Sequence, residues 1–341
     1  MSRQGIVCGG AWYVDRNKLI DRWPEQEALA TILSEERQGG GNGANMSVDL
    51  KKLGAQFPVE AIALVGEDAD GRFLKHLCDE FDIGTMQFHI APDVTTAFTD
   101  VMSVRGGKRT FFHFHGTHDA IGPDHFDFAR TNARILHLGL PGIFATLDAP
   151  YGADSSGWLT VLKRAKHAGM KTNIELCSFA AERLAQLVRP CLPFLDFVII
   201  DDYEAGAVAG IETVRDGVVH PAACTEAAMA ILALGTAQQV IVHYPAGCVA
   251  VTRDGQIVRK PSVRVPPEAI AGTNGAGDAF AAGILFAVHE RWPLDEALTL
   301  AHASAAVSLR SVTTTGAVVD WRECLALAAQ WGWREPEGIV S

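Results

Sequence analysis

Short, mostly apolar runs alternate with longer helical patterns along almost the whole chain. Runs at Gly5–Gly9, Ala61–Val65, Ile135–Leu138, Lys171–Ile174, Phe197–Ile200 and Val240–His243 predict strands. Stretches such as Ser156–Ala168 and Ala222–Leu234 predict helices between them. Strands that alternate with helices pair in parallel, and helices then cover both sheet faces. The expected class is therefore α/β, with a central mostly parallel sheet between two helical layers. Such a sheet binds ligands at the carboxyl ends of its strands, so the residues following each run carry the functional information.

One segment breaks the alternation. Thr95–Val104 and Lys108–His115 read as two strands joined by Arg105-Gly106-Gly107, with no helix between them. This predicts a hairpin standing off the main sheet as a flap or lid. A second hairpin is expected for Cys248–Thr252 and Gln256–Lys260, turning at Arg253-Asp254-Gly255, because Asp-Gly suits a tight turn. A length of 341 residues allows two ordinary domains or one large one. No low-complexity linker or repeat divides the chain, so 1–341 is expected to be a single domain with a β-lid contributed mainly by 95–116.

Composition narrows the function classes. Hydrophobic residues make up 48% and charged residues 20%, which excludes disorder as the dominant state. The net charge is −11 and no long Lys/Arg run occurs, so neither nucleic acid nor an anionic membrane is an expected partner. The longest apolar run, Ala279 to Val288, is about half of the ~20 residues a bilayer span needs. The start of the chain lacks the apolar stretch of a signal peptide. The 7 cysteines show no CxxC or zinc-type spacing. A soluble, cytoplasmic protein is expected. His113, His115, His118 and His125 cluster in sequence, but no nearby Cys or carboxylate completes a metal site; they are expected to line one face of the flap.

Four segments carry chemistry. In Ala271-Gly272-Thr273-Asn274-Gly275-Ala276-Gly277-Asp278-Ala279-Phe280, a glycine-rich turn runs into an apolar helix with Phe280, Ile284 and Ala287 on one stripe. Small residues at 275–277 expose successive N–H groups at the positive end of the helix dipole, a place for phosphate. Asp278, in that first turn, either stabilises the dipole or takes a proton from a hydroxyl attacking phosphorus. In Gln38-Gly39-Gly40-Gly41-Asn42-Gly43-Ala44-Asn45, a second glycine run precedes a helix carrying Met46, Leu50 and Leu53. There Asn45 is expected in the first helical turn, able to donate to and accept from a polyol. Neither GxGxxG nor GxxxxGK[ST] is present. Asp15 follows the first strand and could chelate neighbouring hydroxyls or be a surface acid. Asp201-Asp202-Tyr203-Glu204 ends another strand and could bind Mg²⁺ or cap the next helix.

Together these residues resemble the ribokinase-like (PfkB) carbohydrate kinases. Gly40-Gly41-Asn42-Gly43-Ala44-Asn45 is similar to the family's N-terminal GGxGAN signature, and Thr273–Phe280 to its C-terminal TxGAGD signature, about 230 residues later. Val65-Gly66-Glu67-Asp68 with Gly71, Ile199–Ala205 and Ala301-His302-Ala303 through Gly316-Ala317 resemble further segments, so the likeness spans nearly the whole chain. The resemblance implies an ATP- and Mg²⁺-dependent transfer of the γ-phosphoryl group to a hydroxyl of a sugar, usually a primary one. It implies Asp278 as catalytic base and Gly275, Ala276 and Gly277 as the anion hole. Asp15, Gly40, Gly41 and Asn45 would contact the acceptor. Asp201, Gly247, Thr273, Gly277 and His302 would lie by the nucleotide, and Glu204 would hold Mg²⁺ through water. It also implies a lid that closes over the substrate and can pair two chains into a homodimer.

The chain departs from the family pattern at several positions. Tyr13 stands where Asn is common, Asp201 replaces the Asn of NxxE, and His243-Tyr244-Pro245-Ala246-Gly247 is one residue short of the usual nucleotide loop. Gly272 and Asn274 occupy positions that help bind a monovalent cation in potassium-dependent members, so the resemblance does not extend to that cation. A nucleoside (adenosine-like) kinase is the alternative within the same chemistry. A catalytically idle sugar-binding or regulatory protein is the alternative from another class.

Overall fold

The computed structural model describes residues 3–105 and 109–335. Strands β1 (Ile6–Gly10), β2 (Tyr13–Ile20) and β3 (Ile32–Gly40) lead into helix α1 (Gly41–Lys52). There follow β4 (Val59–Gly66), α2 (Ala69–Glu80), β5 (Gly84–Ala91), β6 (Phe98–Ser103) and β7 (Arg109–Phe114). Next come β8 (Ile135–Gly139), α3 (Ala145–Asp148), α4 (Gly157–His167), β9 (Lys171–Ile174), α5 (Ala181–Val188), β10 (Phe197–Asp201) and α6 (Asp202–Ala209). A small ribbon of β11 (Val214–Arg215) and β12 (Val218–Val219) precedes α7 (Pro221–Leu234). The chain ends with β13 (Gln239–Tyr244), β14 (Gly247–Thr252), β15 (Ile257–Pro261), α8 (Ala276–His289), α9 (Leu294–Ser308) and α10 (Trp321–Trp331).

The large sheet has nine strands in the order β15-β14-β13-β10-β9-β8-β1-β4-β5. It is parallel from β5 to β13; β14 alone runs the opposite way, pairing antiparallel with β13 on one side and with the edge strand β15 on the other. Successive residues of one strand enter opposite cores. Phe197 and Ile199 pack with α1, α8, α9 and α10, whereas Val198 and Ile200 pack with α4 to α7. This two-sided burial is why these runs read as continuously apolar rather than alternating. The expected hairpin at 248–260 is β14 and β15, turning through Gly255 at φ 89°.

The smaller sheet differs from the sequence expectation. It has four strands in the order β3-β2-β6-β7, so half of it comes from residues 13–40 rather than mainly from 95–116. The turn expected at Arg105-Gly106-Gly107 and the first residue of the second strand, Lys108, lie largely outside the described residues. Strands β2 (Tyr-Val-Asp-Arg-Asn-Lys-Leu-Ile) and β3 (Ile-Leu-Ser-Glu-Glu-Arg-Gln-Gly-Gly) are rich in charge. They carry little apolar signal because the faces of this sheet are not buried in the main core. Register pairs Asp15 with Gln38 on β3 and with Thr99 on β6, and Thr99 with His113 on β7. These four side chains form one cross-strand row on one face.

Truncating a side chain at the two-faced sheet tests this packing. Ile241 on β13 is fully buried, and Ile241→Ala is expected to cost about 2–5 kcal/mol in urea unfolding, with no effect on the residues of the cleft described next.

Candidate active site

The carboxyl ends of the parallel strands and the amino end of α8 converge on one cleft. Gly275 is the N-cap of α8, in a left-handed conformation at φ 79°. A Cβ there would stand 2.3 Å from the Thr314 carbonyl oxygen, so no other residue fits without displacing that loop. The first intrahelical bond is Ala279 N–H to the Gly275 carbonyl, at 2.9 Å. The N–H groups of Ala276, Gly277 and Asp278 precede it and have no carbonyl within the helix to reach. A Cβ at Gly277 would come no closer than 3.6 Å to the His243 ring, which leaves that end of the helix open to the cleft.

Asp278 is in the first turn of α8. Asn45 Nδ2 donates to Asp278 Oδ2 at 3.1 Å, and Thr314 Oγ1 donates to Asn45 Oδ1 at 3.0 Å. Asn45 is in the second turn of α1, not the first, because the helix already starts at Gly41. Asp15 is not in a surface loop: it is on β2 and almost wholly buried. Gly40 closes β3 against it, so closely that a Cβ at Gly40 would be 2.7 Å from Asp15 Oδ2. The structure thus brings Asp15, Gly40, Gly41 and Asn45 together beside Asp278.

On the other side of the α8 terminus lie two connected spaces. A cavity of about 170 Å³ is lined by Glu175, Asp201, Glu204, Thr273, Gly275, Ala276, Gly277 and Asp278. A larger, mostly apolar one of about 410 Å³ is bounded by Tyr244, Phe280, His302 and Ala306 among others, and shares Asp201, His243, Thr273, Ala276 and Gly277 with the first. Gly247 does not line it; a Cβ there would stand 2.5 Å from the Lys260 carbonyl of β15. Asp201 and Glu204 form a capping box at the start of α6, with Glu204 N–H donating to Asp201 Oδ1 at 2.7 Å and Asp201 N–H donating to Glu204 Oε2 at 3.1 Å. Of the two sequence readings of this segment the cap is seen, and the same two side chains line the small cavity.

The site is a cluster of carboxyl groups held out of water. Burial, then the charge of Asp278, raises Asp15 to about 7, although Arg109 and a hydrogen bond from Gln38 pull the other way. Burial and the neighbouring Glu175 hold Asp278 well above the usual carboxylate range. Burial and Asp201 do the same for Glu204. The imidazoles shift oppositely. Burial lowers His113 to about 4 and His302 to about 3, so both are neutral at physiological pH. Tyr13 meets His113 and His118 edge-to-face, and the two imidazoles lie tilted against each other, with ring centroids 5.2–5.6 Å apart. Among the described residues no group of His, Cys, Asp and Glu is arranged to hold a metal by itself. Sequence reading passed over Glu175, His137, Arg109 and Thr314. Of these only Glu175 had a visible signal, its place just past the end of a predicted strand.

Residues 5–321 match the description of the pfkB family carbohydrate kinases. This chain belongs to that family. It is therefore a phosphotransferase of the ribokinase-like sugar and nucleoside kinases. A 1-phosphofructokinase from Xanthomonas campestris is 26% identical over 325 residues, covering 91% of this chain and 92% of that protein. Mouse ketohexokinase is 22% identical, covering 87% and 93%. An adenosine kinase from Schizosaccharomyces pombe is 27% identical over 184 residues, 51% of this chain and 54% of that protein. Among solved structures, Arabidopsis thaliana ribokinase, complexed with ribose and ATP, superposes with TM-score 0.78 at 20% identity over 96% of this chain and 99% of that one. No helix among the described residues is long and apolar enough to cross a membrane.

The raised Asp15 has a thermodynamic consequence. Its carboxylate destabilises the fold wherever it is ionised: the penalty is absent below the ordinary value near pH 4 and complete above pH 7. Asp15→Asn is therefore expected to unfold at higher urea than the parent at pH 8, by about 3–4 kcal/mol, and the gap should shrink by more than half at pH 5.

Proposed function

We propose that this chain transfers the γ-phosphoryl group of ATP, with Mg²⁺, to a hydroxyl of a sugar, usually a primary one. One observation carries the reading: Asp278 and the free N–H groups of Ala276 and Gly277 share a single helical turn between an acceptor pocket and an apolar cleft. Phosphoryl transfer needs positioning and neutralisation of spreading negative charge more than covalent chemistry. The N–H groups at the start of α8 would hold the transferred oxygens. Asp278 would take the acceptor's proton as its oxygen bonds phosphorus and the bond to the ADP oxygen breaks.

The apolar cleft beneath Phe280, His302 and Ala306 suits a flat nucleobase, with Thr273 towards the phosphates. Mg²⁺ prefers carboxylate oxygens and keeps several waters. Glu204 and Asp201, two hard oxygen donors facing the small cavity, fit it, and its bound charge would offset the burial that holds both carboxyls high, together with the charge of Asp201 that acts on Glu204. On the acceptor side, the row Gln38, Asp15, Thr99 and His113 spaces polar groups along the small sheet, which suits a ligand bearing several hydroxyls. That sheet would act as a lid, excluding the water that otherwise competes as acceptor. Its other face exposes Phe112 and Phe114, a surface on which two chains would pair.

Offering pentoses, hexoses and nucleosides with ATP and following ADP release separates the sugar reading from the nucleoside one; ligand-induced stabilisation with no ADP from any acceptor would support an idle binding protein instead. With the best acceptor, Asp278→Asn is expected to keep the fold by circular dichroism and lose about 10²–10⁴-fold in kcat; near-normal turnover would remove Asp278 as base. Sedimentation at micromolar protein is expected to give twice the chain mass, and a monomer would remove the pairing.

A further inference from the structure

The face of the small sheet that carries Asp15 continues beyond the acceptor row. Side chains along a strand alternate between faces, so Asn17 and Leu19 follow Asp15 on β2, and Arg109 shares the face of His113 on β7. Register sets Leu19 beside Ser34 on β3 and beside Ser103 on β6, and Ser103 beside Arg109. This outer row lies four residues from Asp15 along β2, about 13 Å. A cavity of about 420 Å³ opens here, between Asn17, Ser34, Ser103 and Arg109 on the small sheet and the loops at Ala271 and Thr313. The mechanism above uses none of these groups.

Arg109 sets the chemistry of this space. It is half-buried, and among the described residues it has neither a hydrogen bond nor an ion pair. One of its terminal nitrogens approaches Gly272 so closely that a Cβ there would stand 3.1 Å away. The guanidinium therefore crosses from the small sheet to the loop that leads into α8. A guanidinium always carries its charge, and its partial burial is costly until an oxyanion supplies two parallel acceptors. Asn17 lines the same space, and its Nδ2 is buried without a hydrogen-bond partner. Arg105 adds a second positive charge at the exposed rim. Two carboxyls face these groups. Asp15 interacts with Arg109 across the sheet face. Glu36 lines the cavity but is exposed, so solvent and salt screen it.

We propose that this cavity is a distal acceptor subsite for an anionic group, a phosphate monoester or a carboxylate, at the end of the sugar opposite the hydroxyl that is phosphorylated. The acceptor's middle hydroxyls lie along Gln38, Asp15, Thr99 and His113, and its anion lies on Arg109 and Asn17. The volume is many times that of one water, so it has room for a substituent beyond those hydroxyls. A neutral sugar leaves the guanidinium and the Asn17 amide unpaired, and that loss discriminates against it. Arg109 is thus a specificity residue and takes no part in the chemical step.

This inference rests on the acceptor reading above, so its test measures binding apart from turnover. The probes are ribose, glucose and galactose, each as the free sugar, the aldonate and the 1-phosphate. All keep the same primary hydroxyl and differ at carbon 1. In calorimetry without nucleotide, at least one anionic probe is expected to bind the parent about 10–100-fold more tightly than its neutral counterpart. Arg109→Met should abolish that preference, and Arg109→Lys, which keeps the charge but not the fork, should retain part of it. The better of aldonate and 1-phosphate identifies the anion. With ATP, ADP release should show the same preference in kcat/KM, lost in Arg109→Met while the neutral sugars keep their kcat. No anionic probe binding better than its neutral counterpart overturns the proposal, and so does a preference that survives Arg109→Met. An equal fall in kcat for neutral and anionic acceptors also overturns it, by moving Arg109 to the transferred phosphoryl group. Anion binding that Arg109→Met removes, with no ADP from any acceptor, would strike the kinase reading and leave the subsite standing.

Discussion

Burial of the large sheet on both faces is the constraint from which the rest follows. A strand that must be apolar on each side can carry polar chemistry only where it leaves the sheet. Parallel strands leave it at the same edge. Asp201 at the end of β10, His243 near the end of β13 and Glu175 just past β9 are therefore neighbours, although long stretches of chain separate them. The amino end of α8 arrives at the same edge, bringing unpaired N–H groups to meet those acids.

The result is a site with an unusual balance of charge. The chain is acidic overall, at −11, and the cleft concentrates that sign in Asp15, Glu175, Asp201, Glu204 and Asp278. Such a cluster repels the anion it is proposed to bind unless something offsets it. Burial, which disfavours ionisation of these carboxyls, and the dipole and free donors of α8 both work in that direction, and the cation proposed at Asp201 and Glu204 would add to them. Neutral imidazoles add no charge at all, since burial keeps His113, His137 and His302 unprotonated. The site is thus tuned by desolvation more than by ion pairs. Where ion pairs do occur they hold the scaffold, as Lys166 and Lys171 hold Asp196 below β10.

Legibility in the sequence followed burial. The strands of the large sheet could be read because both faces are apolar. Strands β2 and β3 could not, since residues such as Arg16, Lys18, Glu35 and Glu36 mask any period of two. That omission misplaced half the small sheet and turned Asp15 into a loop residue. Asp278, Asn45 and the glycines of both runs were legible because a turn that admits only small residues next to an apolar helix is a local pattern. His137 belongs to no local pattern, and Glu175 shows only its place just past a strand. Each is an ordinary polar residue near a strand end until β8 and β9 pair and α8 packs across them.

What the sequence determined by itself was the layered α/β class, the two glycine-rich helix starts and the acid beside the second of them. These depend on interactions between residues a few positions apart: side-chain period, backbone freedom and helix-end donors. The tertiary structure alone decided which acids line one cavity, which strands form the small sheet, and that Gly247 faces β15 rather than the cleft. Those outcomes depend on register and on burial, and both are set only when segments distant in the chain are packed against one another.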